Sequence, residues 1–274
     1  RAPGLGDAPT MRTVYRLGSA EPTRVTEART KVLEVLRDYG GLSFTLGELA
    51  EMAGVGTSVV KGLVKQGAVS EEDAPRDVPY PRLDPDYGGK ELSADQADGA
   101  EVLRAALRTD AYGTTLLKGV TGSGKTEVYL EAVAECLRMG RQALVLLPEI
   151  ALSGEFINRV EARFGFKPAE WHSGVTMTER RRCWKMVGQG AAQLIVGARS
   201  ALFLPFQNLG LIVVDEEHDT SYKQEDGVLY NARDMAVLRA AINGAQVVLA
   251  SATPSLESWA NVEAGKYTRL VLSS

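Results

Sequence analysis

The sequence predicts an α/β fold, a parallel sheet wrapped by helices, with a small helical domain ahead of it. Three observations predict it: short Val, Leu and Ile runs alternate with amphipathic stretches from about residue 92, a glycine-rich loop lies between one such run and a helix, and a segment rich in proline separates this region from the first 72 residues. Strands that read as continuous apolar runs are buried on both faces, as in a parallel sheet covered by helices.

The small domain comes first. Its opening is a basic arm with Arg12, Arg16 and Arg24, followed by Val32, Val35, Leu36 and Tyr39 at helical spacing and Gly40 as a stop. Leu46, Leu49, Ala50 and Ala53 make a second apolar face, which Gly54 breaks. Thr57 is positioned to cap a third helix carrying Val59, Val60, Leu63 and Val64, and Gly67 precedes a strand beginning at Ala68 and Val69. Helix, helix, glycine turn, helix and strand form a winged-helix pattern over 1–72. Two roles are open for it: phosphate contact through Lys61 and Lys65, or a purely protein-facing role.

The next stretch, "EEDAPRDVPYPRLDPDYGGKELS", holds four prolines and two consecutive glycines. It cannot sustain a helix or a central strand, so 73–91 reads as a linker. From 92 to 274 the strands "TTLLKGV", "QALVLLP", "QLIVGA", "LGLIVVDEE" and "AQVVLASAT" alternate with helices such as "EVYLEAVAECLRMG", "EFINRVEARFG" and "ARDMAVLRAAING". Ligands of such sheets bind beyond the carboxyl ends of the strands, where the polar motifs of this chain fall.

Composition sets the outer limits. With 45% hydrophobic and 24% charged residues the chain is ordinarily globular. No apolar run approaches the roughly 20 residues that span a bilayer, so no membrane partner is expected. Cys136 and Cys183 are too few for a disulfide framework or a zinc site and fit a reducing, cytoplasmic setting. A net charge of −4 does not forbid a local basic groove. The opening "RAPGLGDAP" starts without methionine and lacks a signal-peptide core, which suggests an excised fragment.

The glycine-rich loop "GVTGSGKT" matches the phosphate-loop pattern. Gly119, Val120, Thr121, Gly122, Ser123 and Gly124 present backbone amides to phosphates at a helix start, Lys125 reaches the β and γ phosphates, and Thr126 coordinates magnesium. Such a loop needs an acid at the end of a neighbouring strand. Asp215, closing "LIVVD", fits as the magnesium-holding residue, and Glu216 can orient or deprotonate the attacking water.

The wording of further motifs makes the resemblance specific. "DEEH" beside "SATPS" resembles motifs II and III of superfamily 2 helicases, and "LSADQ" resembles the motif whose glutamine reads adenine, here Gln96. "LLPEIALS", "WHSGVT", "GARSALFLPF" and "VVDEEHDTSYKQEDGVLYNARDMAVLRA" together resemble the replication-restart, primosomal branch of that superfamily. The resemblance runs from about residue 92 to the end. It implies a RecA-like phosphate-loop lobe using ATP and Mg2+, within a 3′ to 5′ DNA helicase acting at stalled forks. The partners it implies are forked DNA and single-strand/duplex junctions, other primosome proteins and the single-stranded-DNA-binding protein.

Residue by residue, the resemblance gives Lys125, Asp215, Glu216 and His218 catalytic roles, with His218 meeting Ser251 and Thr253 to couple nucleotide state to DNA. It places His172, Arg199, Ser200, Tyr222, Lys223, Tyr230 and Arg233 near DNA. The tyrosines would stack on unpaired bases, each ring worth about 1 to 3 kcal/mol. The alternative is that they pack the loop onto the domain, and for His172 that it bonds within the domain. Ala198 departs from the family, which more often has threonine there. The resemblance also implies a second lobe with arginine fingers and a cysteine cluster holding zinc, both outside this sequence, so the chain alone is expected to be nearly inactive. Two other readings are another superfamily 2 repair or recombination helicase and a non-catalytic DNA-binding scaffold.

Overall fold

The computed structural model of the chain describes residues 11–38, 44–225 and 229–273. They fall into two compact units, one ending at Val78 and the other beginning at Pro79.

In the first unit, β1 (Met11–Leu17) is followed by α1 (Glu27–Asp38), α2 (Leu46–Met52), α3 (Thr57–Lys65) and β2 (Val69–Pro75). Val32, Leu33, Leu36, Leu49, Val60 and Leu63 form its core, as helical spacing predicts. Gly54 turns the chain between α2 and α3 at φ +63°, where a side chain would be strained. Three details differ from the sequence reading. The basic arm is a strand: β1 pairs antiparallel with β2, setting Arg12 and Arg16 beside the acidic run of β2, and Arg16 lies 3.8 Å from Glu72. Thr57 is not the cap of α3; Gly56 holds that position without a side-chain bond, whereas Thr45 and Glu48 form a reciprocal cap on α2. Tyr39 and Gly40 lie outside the described residues.

The expected linker 73–91 is also revised. Its first residues complete β2, and the rest is a strap laid on the second unit. Leu83 is buried and its N–H donates to Gln193 Oε1 at 2.8 Å, while Asp84 N donates to Phe164 O at 3.0 Å. Arg163 and Arg138 both donate to Pro85 O, at 2.8 and 3.2 Å, and Arg138 also grips Asp86. Prolines and glycines exclude regular structure here but leave carbonyls free, and the arginine forks satisfy them.

The second unit continues with α4 (Ala94–Arg108), β3 (Gly113–Lys118), α5 (Lys125–Arg138), β4 (Gln142–Leu146), α6 (Gly154–Phe164), β5 (Ala169–Trp171), α7 (Met177–Gly188), β6 (Leu194–Gly197) and β7 (Leu209–Asp215). A hairpin of β8 (Lys223–Gln224) and β9 (Tyr230–Asn231) follows, then α8 (Ala232–Asn243), β10 (Gln246–Ser251), α9 (Leu256–Glu263) and β11 (Thr268–Val271). Seven strands form one parallel sheet in the order β11-β3-β10-β7-β4-β6-β5. Successive strand residues face opposite cores: Leu117, Val145 and Val213 join Leu103, Val128 and Val160 on one side, while Leu116, Leu144 and Ile212 join Met186, Val187 and Ala236 on the other. The strand period of 2 thus serves two helix layers. Cys136 and Cys183 are both core thiols. Because β10 lies between β3 and β7, with Ser251 beside Lys118 and Ala250 beside Asp215, the three polar motifs end on adjacent strands.

Candidate active site

The phosphate loop leaves β3 and enters α5. Gly122 and Gly124 hold φ of +86° and +84°, and a Cβ on Gly124 would collide with the Gln96 amide. Only glycine meets both demands. The Lys125 ammonium donates to Gly119 O at 2.7 Å and Val120 O at 3.1 Å, so it points into the curl of the loop. Gly119 N donates to Ser251 O at 3.2 Å, which fastens the loop to the end of β10. Ser123 Oγ is buried without a hydrogen-bond partner.

Asp215 closes β7. Its Oδ2 accepts from Tyr129 OH at 2.9 Å and its Oδ1 from Glu216 N at 2.9 Å. Burial holds this carboxyl above the usual carboxylate range; the Tyr129 bond opposes that, the Glu216 charge adds to it, and Glu216 N–H and Lys125 pull it down. Glu216 sits at φ +48°, in the left-handed region, with its side chain partly exposed. The next residue turns inward: Glu217 accepts from Ser255 N at 2.6 Å, Ser255 Oγ at 2.9 Å and Ser258 Oγ at 3.0 Å. His218 Nδ1 meets Ser251 Oγ at 2.7 Å, and the same oxygen accepts from Thr253 N at 3.0 Å. The link between "DEEH" and "SATPS" is therefore a direct bond between side chains.

These parts share one cleft. Gln96, Thr121, Gly122, Gly124, Lys125, Thr126, Asp215 and Glu216 line a cavity of about 540 Å³ with Lys90, Glu91, Glu127 and Arg159. Gln96 stands at the third position of α4, where it completes a reciprocal cap with Ser93, and its Nε2 donates to Ser123 O at 3.0 Å. The cap that begins α4 thus also braces the phosphate loop.

The residues assigned to DNA divide. Tyr222 is 1% exposed and donates to Leu146 O at 3.1 Å and Asp215 O at 2.5 Å, so its ring has no face for a base. Arg233 is likewise buried: it donates to Ser255 Oγ at 2.9 Å and Asp234 at 3.0 Å, and approaches Glu217 at 3.5 Å. Both depart from the expectation of DNA contact, because each polar end is engaged by partners within the lobe instead of facing solvent. His172 bonds within the lobe, to Glu170 and to Gly174 N. Arg199 donates to Ser221 O and Lys223 O, at 3.1 and 2.5 Å, and Ser200 Oγ accepts from Trp171 Nε1 at 3.2 Å. Lys223 is exposed in the hairpin, and Tyr230, half-buried, packs edge-on against Phe203 at 5.2 Å.

Sequence reading missed Tyr129 and Glu217. Tyr129 follows Lys125 by four residues, which puts both on one face of α5, a usable signal. Glu217 carried none, since its partners lie 16 to 41 residues away and nothing local separates it from its acidic neighbours.

The family model of DEAD/DEAH box helicases matches residues 98–262. The chain is 50% identical over 182 residues to replication restart protein PriA of Rickettsia felis, covering 66% of this chain and 27% of that protein. It is 39% identical over 234 residues to PriA of Bacillus subtilis, covering 85% and 29% respectively. It therefore spans under a third of the length of these relatives. In fold it resembles the solved structure of RecG bound to a three-way DNA junction, with a TM-score of 0.52 at 21% identity over 68% of this chain and 24% of that one. The chain belongs to the DEAD/DEAH box helicase family and is similar over most of its length to the replication restart proteins PriA.

Proposed function

We propose that the second unit is the nucleotide-binding lobe of an ATP-driven 3′ to 5′ DNA helicase of replication restart. The observation that carries this reading is the single cleft holding Lys125, Thr126, Asp215 and Glu216, joined through His218 and Ser251 to the end of β10. The residues fit the group. Left-handed glycines leave room for phosphates beside backbone amides, and the Thr126 hydroxyl and Asp215 carboxylate are protein oxygens of the kind that hold magnesium together with substrate phosphates and water. Bound ATP with Mg2+ would supply the phosphoryl group whose hydrolysis drives movement.

In this reading Lys125 binds the phosphates, Glu216 orients water, and Asp215, pushed up by burial, is relieved when a cation arrives. The His218 to Ser251 bond carries nucleotide state toward the DNA side. Arg199, Ser200, Lys223, Tyr230 and His172 remain the DNA-side residues, with the winged helix adding phosphate contacts. Forked DNA, other primosome proteins and the single-stranded-DNA-binding protein are the proposed partners, in a cytoplasmic setting. An arginine finger reaching this cleft would add about 10³ to 10⁵ in rate.

Titration calorimetry tests the reading: the chain should bind ADP with Mg2+, and Lys125→Ala should lose most of that affinity. No nucleotide binding by the unmodified chain sinks it.

A further inference from the structure

Three charged residues that none of the motifs above contains also line the cleft. Lys90, at the end of the strap, donates to Glu127 Oε1 at 3.0 Å, and Arg159 of α6 lies 3.9 Å from the same oxygen. Glu127 follows Thr126 directly in the first turn of α5. Burial would raise its carboxyl, but the Lys90 hydrogen bond, its own backbone N–H and the charge of Arg159 hold it below the usual range. One ionised carboxylate therefore faces two cations.

The two cations are not equally engaged. Arg138, Arg141 and Arg163 spend their forks on carbonyls and carboxylates between 2.7 and 3.2 Å. Among the described residues Arg159 makes no hydrogen bond and one ion contact, at 3.9 Å, and with its side chain 37% exposed its planar set of five donors is available. The same trio also borders a second cavity of about 430 Å³, lined by Leu92, Leu130 and Ala162 among others. An apolar surface beside an unused guanidinium suits a flat heteroaromatic ring; it does not suit a phosphate.

We infer that Arg159, held in place by Glu127 and Lys90, contacts the nucleoside half of the bound nucleotide, with its guanidinium plane against the base. The inference rests on the nucleotide reading of the cleft. The loop amides and Lys125 serve the phosphates in that reading, and the trio lines both the cleft and the adjoining apolar cavity. Glu127 acts as a positioning residue, because without it the two cations repel.

The test separates the two halves of the ligand. Affinities for ADP and for inorganic tripolyphosphate, each with Mg2+, are measured on the 274-residue chain and on Arg159→Ala, Arg159→Lys and Lys125→Ala. Arg159→Ala should weaken ADP about tenfold, the scale of one stacked cationic contact, and leave tripolyphosphate unchanged. Arg159→Lys should fail to restore ADP affinity, because a point charge does not replace the plane. Equal loss for both ligands, rescue by lysine, or no loss of ADP affinity each overturns the assignment. Lys125→Ala should weaken both ligands; if it weakens neither, the nucleotide reading itself falls, whatever Arg159 does.

Discussion

Removing the Glu217 carboxylate should unfold the lobe more readily than removing any exposed acid beside it. The side chain is fully buried and accepts from Ser255 N, Ser255 Oγ and Ser258 Oγ at 2.6 to 3.0 Å, with Arg233 at 3.5 Å. Glu217→Ala leaves three donors without their acceptor and strips Arg233 of its buried counter-charge. The remaining acids near Arg233, Asp234 and Glu257, are 65% and 69% exposed and screen it weakly. Each orphaned donor costs about 1 to 3 kcal/mol, but one relaxed site does not sum them. Breaking a buried pair by deleting one member costs about 3 to 5 kcal/mol, and we take that range. For a lobe of this size it corresponds to a fall in Tm of roughly 6 to 20 °C.

Urea unfolding followed by tryptophan fluorescence measures the loss, because Trp171, Trp184 and Trp259 all lie in this lobe and Trp259 adjoins Ser258. Arg233→Met combined with Glu217→Ala should cost less than the sum of the two single changes, since the stranded cation is then gone. A loss under about 1 kcal/mol for Glu217→Ala, or strict additivity in the pair, would refute the argument.

Two further outcomes follow from the same geometry. Tyr222→Phe should destabilise the chain by about 1 to 3 kcal/mol in urea unfolding, because it removes the hydroxyl that bonds the carbonyls of Leu146 and Asp215; an unchanged midpoint would show that this buried hydroxyl adds nothing to stability. Asp215→Asn should stabilise the nucleotide-free chain at pH 7. The native carboxyl is raised, so the penalty of ionising it is absent below the ordinary carboxylate pKa, grows as pH climbs toward the native value, and is fully present above that. The gain should therefore shrink as unfolding is followed downward toward pH 4, and a gain independent of pH would contradict the burial argument.

What was legible in the sequence was what repeats or what is local. β4, β7 and β10 announce themselves as apolar runs, and the loop from Gly119 to Thr126 carries its own chemistry in order. β5 is the three residues Ala169–Trp171, too short for a period, and α7 is so rich in arginine that its apolar face is broken up. The strap was hidden for a different reason. Its anchors are carbonyls gripped by Arg138 and Arg163, 53 and 78 residues along, and a carbonyl leaves no mark in a sequence. Tyr222 and Tyr230 look alike on paper, two aromatics in a polar loop. They differ because one hydroxyl reaches two buried carbonyls and the other ring leans on Phe203 at the surface.

The left-handed backbone of Glu216 has a consequence for how this lobe could be altered. A glycine there would sit at φ +48° without strain, whereas glutamate holds it at about 1 to 3 kcal/mol. Its neighbours keep it there: Asp215 ends a buried strand, and Glu217 is tied by its N–H to Ala250 O and by its side chain to α9. The turn behaves as a sprung latch between two fixed posts. A loosened post, as in Glu217→Ala, would let the latch relax and swing the Glu216 carboxylate away, so damage to folding and damage to chemistry would arrive together at a residue that touches no ligand.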